Sequence, residues 1–433
     1  MSRTACQKSG RAPRATRVRS RSGLWLVAGA VVVTGLVGSA CGADNSSTGS
    51  TTTTAPTSSL PTEALRSSVE HAMSELKVPG AVALVASPDD QWVEAFGTRT
   101  VKGAEPVTTD DSFRVGSITK TMTGTVILQL VQEGKLRLDD HVSKFYAGIP
   151  SGDTITIADL LDMHSGLPSY TQLEVVNRAM DGERSRAWTP EELVALGAAQ
   201  PVLFPPGERY DYSNTNTVLL GLIATKITGK DISTLLTERI FTPLGLMHTV
   251  MPPITSTAMP DPHPHGYMYG TNVSTMSSMA LPVDQQAAAD AGTLAPNDYT
   301  DLNPSWAGAA GAAISTVGDL RVYAEALADG RLLDGPVQQE RLASVKPMNP
   351  DEPSSPGYGL ALASFGPMLG HAGALPGFQA FMAHDPQRHL TVVVLTNLQA
   401  SPSGVDTANT IARGLVDILY SKATTSVPAD DDH

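Results

Sequence analysis

Phe113-Arg114-Val115-Gly116-Ser117-Ile118-Thr119-Lys120, running on into Thr121-Met122-Thr123-Gly124-Thr125-Val126-Ile127-Leu128-Gln129-Leu130-Val131, organises the reading of this 433-residue chain. From Thr119 onward Met122, Val126, Leu130 and Val131 recur at helical spacing, which places Ser117 where a helix begins. A serine there lies beside free backbone N–H groups and the positive end of the helix dipole, both suited to negative charge developing in acyl transfer. Lys120 stands one turn on, on the same face. A hydroxyl is a poor nucleophile at neutral pH, and a desolvated lysine of lowered pKa can act as its base. The spacing alone is weak, because Ser74-Glu75-Leu76-Lys77 repeats it with no other chemistry around it.

The first 22 residues carry seven basic side chains and no acid, followed by the apolar run Leu24 to Val37 and then Gly38-Ser39-Ala40 before Cys41. This reads as an export signal over 1–40, since the run is too short to span a membrane. A cysteine after small residues resembles a lipobox, although Gly38 is atypical there, and Cys41 is the expected lipidation site. Its lipid would hold the protein at the outer face of the bacterial cytoplasmic membrane. Cys6 leaves with the signal, so the mature chain has one cysteine and no disulfide. Loss of seven positive charges takes the net charge from −13 to −20, which disfavours nucleic acid as a partner.

Residues 46–59 hold eleven Ser or Thr, too little apolar surface for a core, so 41–60 is a lipidated cysteine and flexible tether. The folded part is expected over 61–425. It opens with a helix whose face is Leu65, Val69, Met73 and Leu76, then a hairpin of Ala81–Ala86 and Gln91–Phe96 around Pro88-Asp89-Asp90. Helices are read at Ile157–Met163, Pro190–Ala199, Val218–Ile227 and Ser233–Ile240, and residues 252–304 as extended loops. Strands return at Gly357–Ala363, Met368–Ala374, Gln379–Ala383 and Leu390–Leu395, with a closing helix Thr407–Tyr420 and an acidic tail at 426–433. The fold class is α/β (α+β): an antiparallel sheet domain with an inserted helical subdomain over about 115–290.

Two further elements suit a Ser-x-x-Lys hydrolase. Tyr212-Ser213-Asn214 lies in a loop before the Val218 helix; its tyrosine can relay a proton and its asparagine amide can hold an acyl chain. Gly370-His371-Ala372-Gly373-Ala374 lies on a strand whose edge can offer the Ala374 N–H opposite that of Ser117, making an oxyanion hole.

These residues resemble the serine penicillin-binding proteins and class C β-lactamases, most closely the Streptomyces-type D-alanyl-D-alanine carboxypeptidases. The resemblance runs from about Pro61 to Leu419 and extends to Gly134-Lys135-Leu136, His164-Ser165-Gly166-Leu167, Phe241-Thr242-Pro243-Leu244 and Ser305-Trp306-Ala307. It implies a β-lactamase/penicillin-binding-protein-like fold, with Ser117 as nucleophile and Lys120 and Tyr212 as proton-transfer groups. It further implies Asn214, His371, Gly373 and Trp306 at the substrate, and the Ser117 and Ala374 amides as oxyanion hole. His371 stands where many relatives have lysine. The chain departs from the carboxypeptidases at Ala372, where they usually have Thr, and at Ala361-Leu362-Ala363-Ser364, where they carry an arginine; both groups help hold a free carboxylate.

The reading is therefore an exported serine hydrolase acting through an acyl-enzyme, on cell-wall peptide as a carboxypeptidase does. An esterase or weak β-lactamase of the same fold is the alternative, and a non-catalytic cell-wall or penicillin binder is a third, disfavoured by the intact Ser117, Lys120 and Tyr212. Its partner is a small-molecule or peptide substrate, whether peptidoglycan stem peptide, ester or β-lactam, and a monomer is expected. No cofactor is expected, and no metal, since His263 and His265 lack Cys or well-spaced acidic partners. His164-Ser165-Gly166 is read as structural.

Overall fold

Gly80–Ala86 is apolar throughout because both of its faces are covered. Ala81, Ala83 and Val85 pack with Leu65, Val69, Ile411 and Leu415, while Val82 and Leu84 join the cluster that contains Ile118, Met122 and Leu320. Alternate side chains of a strand point to opposite faces, so a strand buried on both reads as a continuous hydrophobic run. The computed structural model describes residues 60–421. The signal, Cys41, the tether up to residue 59 and the acidic tail lie outside the described residues.

Twelve strands are described: β1 Gly80–Ala86, β2 Gln91–Gly97, β3 Phe113–Arg114, β4 Tyr267–Met268, β5 Asn297–Asp298, β6 Ile314–Ser315, β7 Lys346–Pro347, β8 Gly357–Gly359, β9 Leu362–Phe365, β10 Met368–Leu375, β11 Phe378–Asp385 and β12 Leu390–Thr396. Eight of them form one antiparallel sheet in the order β2-β1-β12-β11-β10-β9-β8-β7. Since β1 pairs with β12, the two ends of the described chain share this sheet and the helical block is inserted between them. The helices are α1 Thr62–Leu76, α2 Ile118–Gln132, α3 Ile157–Leu161, α4 Glu174–Gly182, α5 Pro190–Ala198, α6 Asn214–Thr228, α7 Ile232–Leu236, α8 Thr242–Leu244, α9 Val283–Asp290, α10 Val317–Ala328, α11 Gly335–Ala343 and α12 Thr407–Ser421. The α1 and α12 helices pack together over one face of the sheet, and α10 packs on β11 and β12.

The α2 helix is buried on nearly every side, beyond the single apolar stripe its spacing suggests. Its interior threonines are satisfied by carbonyls: Thr119 and Thr121 donate locally to the Gly116 and Ile118 carbonyls, and Thr123 donates across to Ala309 O at 2.7 Å. Four expectations need correction. The Val218 helix starts at Asn214, so Asn214 occupies a first helical turn and not a loop. Ser233–Ile240 is broken into α7, a π-helical turn Thr237–Phe241 and α8, because Pro243 has no N–H to continue the ladder. The 252–304 stretch contains α9 and the short β4–β5 ladder. Gly357–Ala363 is two strands, interrupted where Ala361 takes φ +51 and donates its N–H to Leu161 O.

Candidate active site

Between Asp111 and Leu128 every residue is buried except Ser117, which is half-buried at the N-cap of α2. Preceding the first turn, its N–H has no partner within the helix. The β10 strand presses against this point because two residues have no side chain. A Cβ on Gly116, whose φ is +53, would lie 2.6 Å from Ala374 N, and one on Gly373 would lie 2.0 Å from Val115 O and 3.1 Å from Ser117 N.

The two-residue turn Pro376-Gly377 makes Leu375 and Phe378 the last paired residues of the β10–β11 hairpin. Odd-numbered residues of β10 therefore bond to β11, and even-numbered ones face the other edge. On that edge β9 pairs only as far as Gly370. Ala372 and Ala374 consequently present their N–H and C=O groups to an open edge, and the start of α2 fills it. The Ser117 and Ala374 N–H groups thus face the same small space.

Lys120 is fully buried, and burial holds its pKa well below the ordinary lysine value. Its Nζ lies 2.6 Å from Asn214 Oδ1, 2.8 Å from Ala310 O and 3.0 Å from Ser117 Oγ. The first two oxygens can only accept. A neutral amine that gives both its N–H groups to them is left with its lone pair toward the Ser117 hydroxyl, the arrangement a general base needs.

Tyr212 flanks the pair: Lys120 Nζ stands 4.8 Å from its ring centroid. Burial raises the Tyr212 pKa, and the Ser117 hydroxyl pulls the other way. The ring leans on Tyr358 and His371 and on the cluster of Met163, Tyr358 and Ala363. His371 is buried and its pKa is pushed down to about 3, first by burial. Its Nδ1–H bonds to Ala372 O, and its Nε2 accepts from the Tyr358 hydroxyl at 3.3 Å, so the ring is neutral and held at both nitrogens.

Asn214 is also committed. Besides receiving Lys120, its Nδ2 donates to Thr171 Oγ1 at 3.0 Å and Ser169 Oγ at 3.3 Å. Its placement is that of a group positioning Lys120, with no amide hydrogen left over for an acyl chain. Trp306 is packed in the core, 9% exposed, with its carbonyl accepting from Tyr170. Together with Arg114, Leu302, Pro304, Leu375 and Pro376 it lines a crevice too tight for water, in which Trp306 Nε1 and Arg114 Nε and Nη1 have no protein partner.

Ser117, Lys120, Tyr212, Asn214, His371, Gly373 and Ala374 are therefore brought together, while Trp306 belongs to the wall behind them. Sequence reading missed Ala310, whose carbonyl orients Lys120, and the hydroxyls Ser169 and Thr171. No motif marks Ala310; Ser169 and Thr171 follow His164-Ser165-Gly166-Leu167 closely enough to have been candidates. That segment has a scaffold role, Ser165 Oγ donating to Asn216 Oδ1 on α6 at 2.7 Å.

The profile of the family described as Beta-lactamase matches residues 65–416. A solved D-stereospecific amidohydrolase from Streptomyces sp. is similar at 32% identity and TM-score 0.69, over 83% of this chain and 98% of that one. The D-amino acid amidase from Ochrobactrum anthropi SV3, complexed with L-phenylalanine amide, is similar at 26% identity and TM-score 0.70, over 83% and 99%. Among curated proteins, Protein flp of Staphylococcus aureus (strain MW2) is 31% identical over 189 residues, 42% of this chain. That match spans only 36% of the staphylococcal protein's length.

Proposed function

The chain belongs to the beta-lactamase family of serine hydrolases, and from that premise we propose that it is an exported enzyme that forms an acyl-enzyme on Ser117 from amides or esters of D-amino acids. The observation that carries the reading is Lys120 Nζ held by the Ala310 and Asn214 oxygens with its remaining direction toward Ser117 Oγ at 3.0 Å.

In the reaction Lys120 takes the Ser117 hydroxyl proton as Oγ bonds to the substrate carbonyl carbon. The oxyanion is received by the Ser117 and Ala374 N–H groups. As the bond to the leaving amine or alcohol breaks, a proton reaches that group from Lys120 through Tyr212. Water then attacks the ester on Ser117 by the same route in reverse, releasing the acid and the free hydroxyl. Asn214 and Ala310 position Lys120.

The preference for an uncharged leaving side rests on what surrounds the open edge of β10. Ala372 offers no hydroxyl, β9 reads Leu-Ala-Ser-Phe with no cation, and His371 is neutral. Arg341 is fully committed to the Leu360 and Ala361 carbonyls and Thr125. The names of the similar solved proteins, an amidohydrolase and an amidase, support the same substrate class. D-alanyl-D-alanine carboxypeptidase action would need a carboxylate clamp that these residues do not provide. Export and anchoring through Cys41 at the outer face of the cytoplasmic membrane complete the proposal.

The test is kcat/KM for a matched pair, a D-alanyl-D-alanine peptide with a free C-terminus and its C-terminal amide, on wild type and Ala372→Thr. A charge-assisted hydrogen bond contributes about 1.5 to 3 kcal/mol, a factor of roughly 10 to 100. Wild type should favour the amide or show no preference, and Ala372→Thr should move the ratio toward the acid. A wild type preferring the free acid a hundredfold would restore the carboxypeptidase reading.

A further inference from the structure

Where the C-terminal end of α10 meets the β11–β12 turn, three side chains from three elements converge: Asp329, the C-cap of α10; His384 on β11; and His389 in the turn before β12. Their ligand atoms all lie within 4.8 Å of one another. We propose that this cluster binds one divalent transition-metal cation of the zinc class, through His384 Nε2, a nitrogen of His389 and a carboxylate oxygen of Asp329.

His384 supplies the main argument. It is 2% exposed, and its Nε2 is buried with no hydrogen-bond partner, although it points at the Asp329 carboxylate. The tautomer is set from the other side of the ring. Nδ1 lies 2.8 Å from Thr391 Oγ1, and the Thr391 hydroxyl gives its own proton toward Glu325 Oε1 at 3.4 Å. With Thr391 as acceptor, Nδ1 carries the hydrogen and Nε2 turns its lone pair toward the Asp329 carboxylate, the tautomer a bound cation would select. At 3.4 Å the two groups approach without making a hydrogen bond, and a cation between them would satisfy both. A hydrogen-bonded outer partner that fixes the tautomer is also what a metal-binding imidazole requires.

The spacing fits. Ligands about 2.1 Å from a tetrahedral ion stand about 3.4 Å apart, and His384 Nε2 is 3.4 Å from Asp329 Oδ1. His389 is exposed and, with its ligand atom within 4.8 Å of the other two, need close by no more than about 1.4 Å, within reach of a change of rotamer. Two imidazoles and one carboxylate suit zinc better than magnesium or calcium, which favour all-oxygen sets. Glu325 is not a ligand in this arrangement, being paired with Arg321 at 2.9 Å.

The cation would tie α10 to the hairpin and act on stability, since binding to the folded state alone shifts the folding equilibrium. It would lie away from the chemistry: His384 pairs with Leu369, whereas Ala380 pairs with Gly373 beside Ser117, and four residues of strand span about 13 Å. The spacing 329, 384, 389 matches no local motif, so the sequence alone gives no sign of it.

The experiment is titration of the metal-freed mature protein with ZnCl2, followed by calorimetry and by melting temperature, with Co2+ substitution to read d–d bands. One equivalent should bind, raising Tm by several degrees, with hydrolysis of a D-amino acid ester unchanged by zinc or by its chelator. His389→Ala and Asp329→Asn, both exposed, should each weaken zinc at least tenfold and abolish the Tm shift. His263→Ala/His265→Ala should leave binding intact. Absence of stoichiometric binding in wild type overturns the proposal, as does zinc affinity unchanged in either His389→Ala or Asp329→Asn.

Discussion

Asn214→Asp exchanges one amide for a carboxylate of the same shape, 2.6 Å from Lys120 Nζ. At an effective dielectric of about 20, a charge pair at that distance is favoured by about 6 kcal/mol. Burying the new carboxylate opposes this. If it offsets half, about 3 kcal/mol remains, which raises the lysine's titration by about two pH units. The fold should tolerate the change, because Ser169 and Thr171, which now accept from the amide, carry hydroxyls that can donate to a carboxylate oxygen. The lysine must be neutral to accept the Ser117 proton, so kcat/KM falls as pH drops through its folded pKa. In the variant that acid limb should move up by about two pH units, and at a pH on the limb activity should fall about a hundredfold. The assay is kcat/KM against pH for a D-amino acid ester, with circular dichroism as a control on folding. A folded variant whose acid limb coincides with wild type would refute Lys120 as the titrating base.

Gly116→Ala would put a methyl 2.6 Å from Ala374 N at φ +53; separating the two facing amides should cut kcat about 10²- to 10³-fold, and retention within threefold would argue against the oxyanion assignment. His371 titrates near 6.5 when unfolded and at about 3 when folded, so the unfolded state takes up the proton first. Its contribution is therefore intact above pH 6.5 and is lost toward pH 3, at about 1.4 kcal/mol per pH unit. Urea unfolding at pH 6.5 and 4.5 should show wild type losing about 2 kcal/mol more than His371→Gln, and equal losses would count against it. Wild-type protein from a bacterial host should partition into detergent with a lipid on Cys41, while Cys41→Ala is released or left unprocessed; an unmodified, fully soluble wild type contradicts the anchor.

Those elements whose burial is simple were legible in the sequence. The α1 face, the two-sided apolar run of β1 and the four C-terminal strands each follow from one local pattern, and their bounds agree with expectation to within a few residues, the break at Ala361 excepted. What escaped was structure set by tertiary contact. The interruption at Ala361 depends on Leu161 receiving its N–H and on Arg341 beneath it, both remote in sequence. The α10 and α11 helices did carry caps that could have been read, Thr316 receiving Asp319 N and Asp334 receiving Val337 N. At the site, residue types were visible in three motifs, but the Ala310 carbonyl is a backbone group. Its role follows only from the 3₁₀ turn Gly308–Ala310 lying against α2.

Intact-mass analysis with peptide mapping, after mixing the enzyme with a slowly hydrolysed D-amino acid ester or a fluorophosphonate, tests acyl transfer through Ser117 most directly. One adduct should form and map to the peptide containing Ser117, and it should be absent from Ser117→Ala but undiminished in Ser74→Ala. Hydrolysis by Ser117→Ala at the wild-type rate, or an adduct on any other residue, would contradict it.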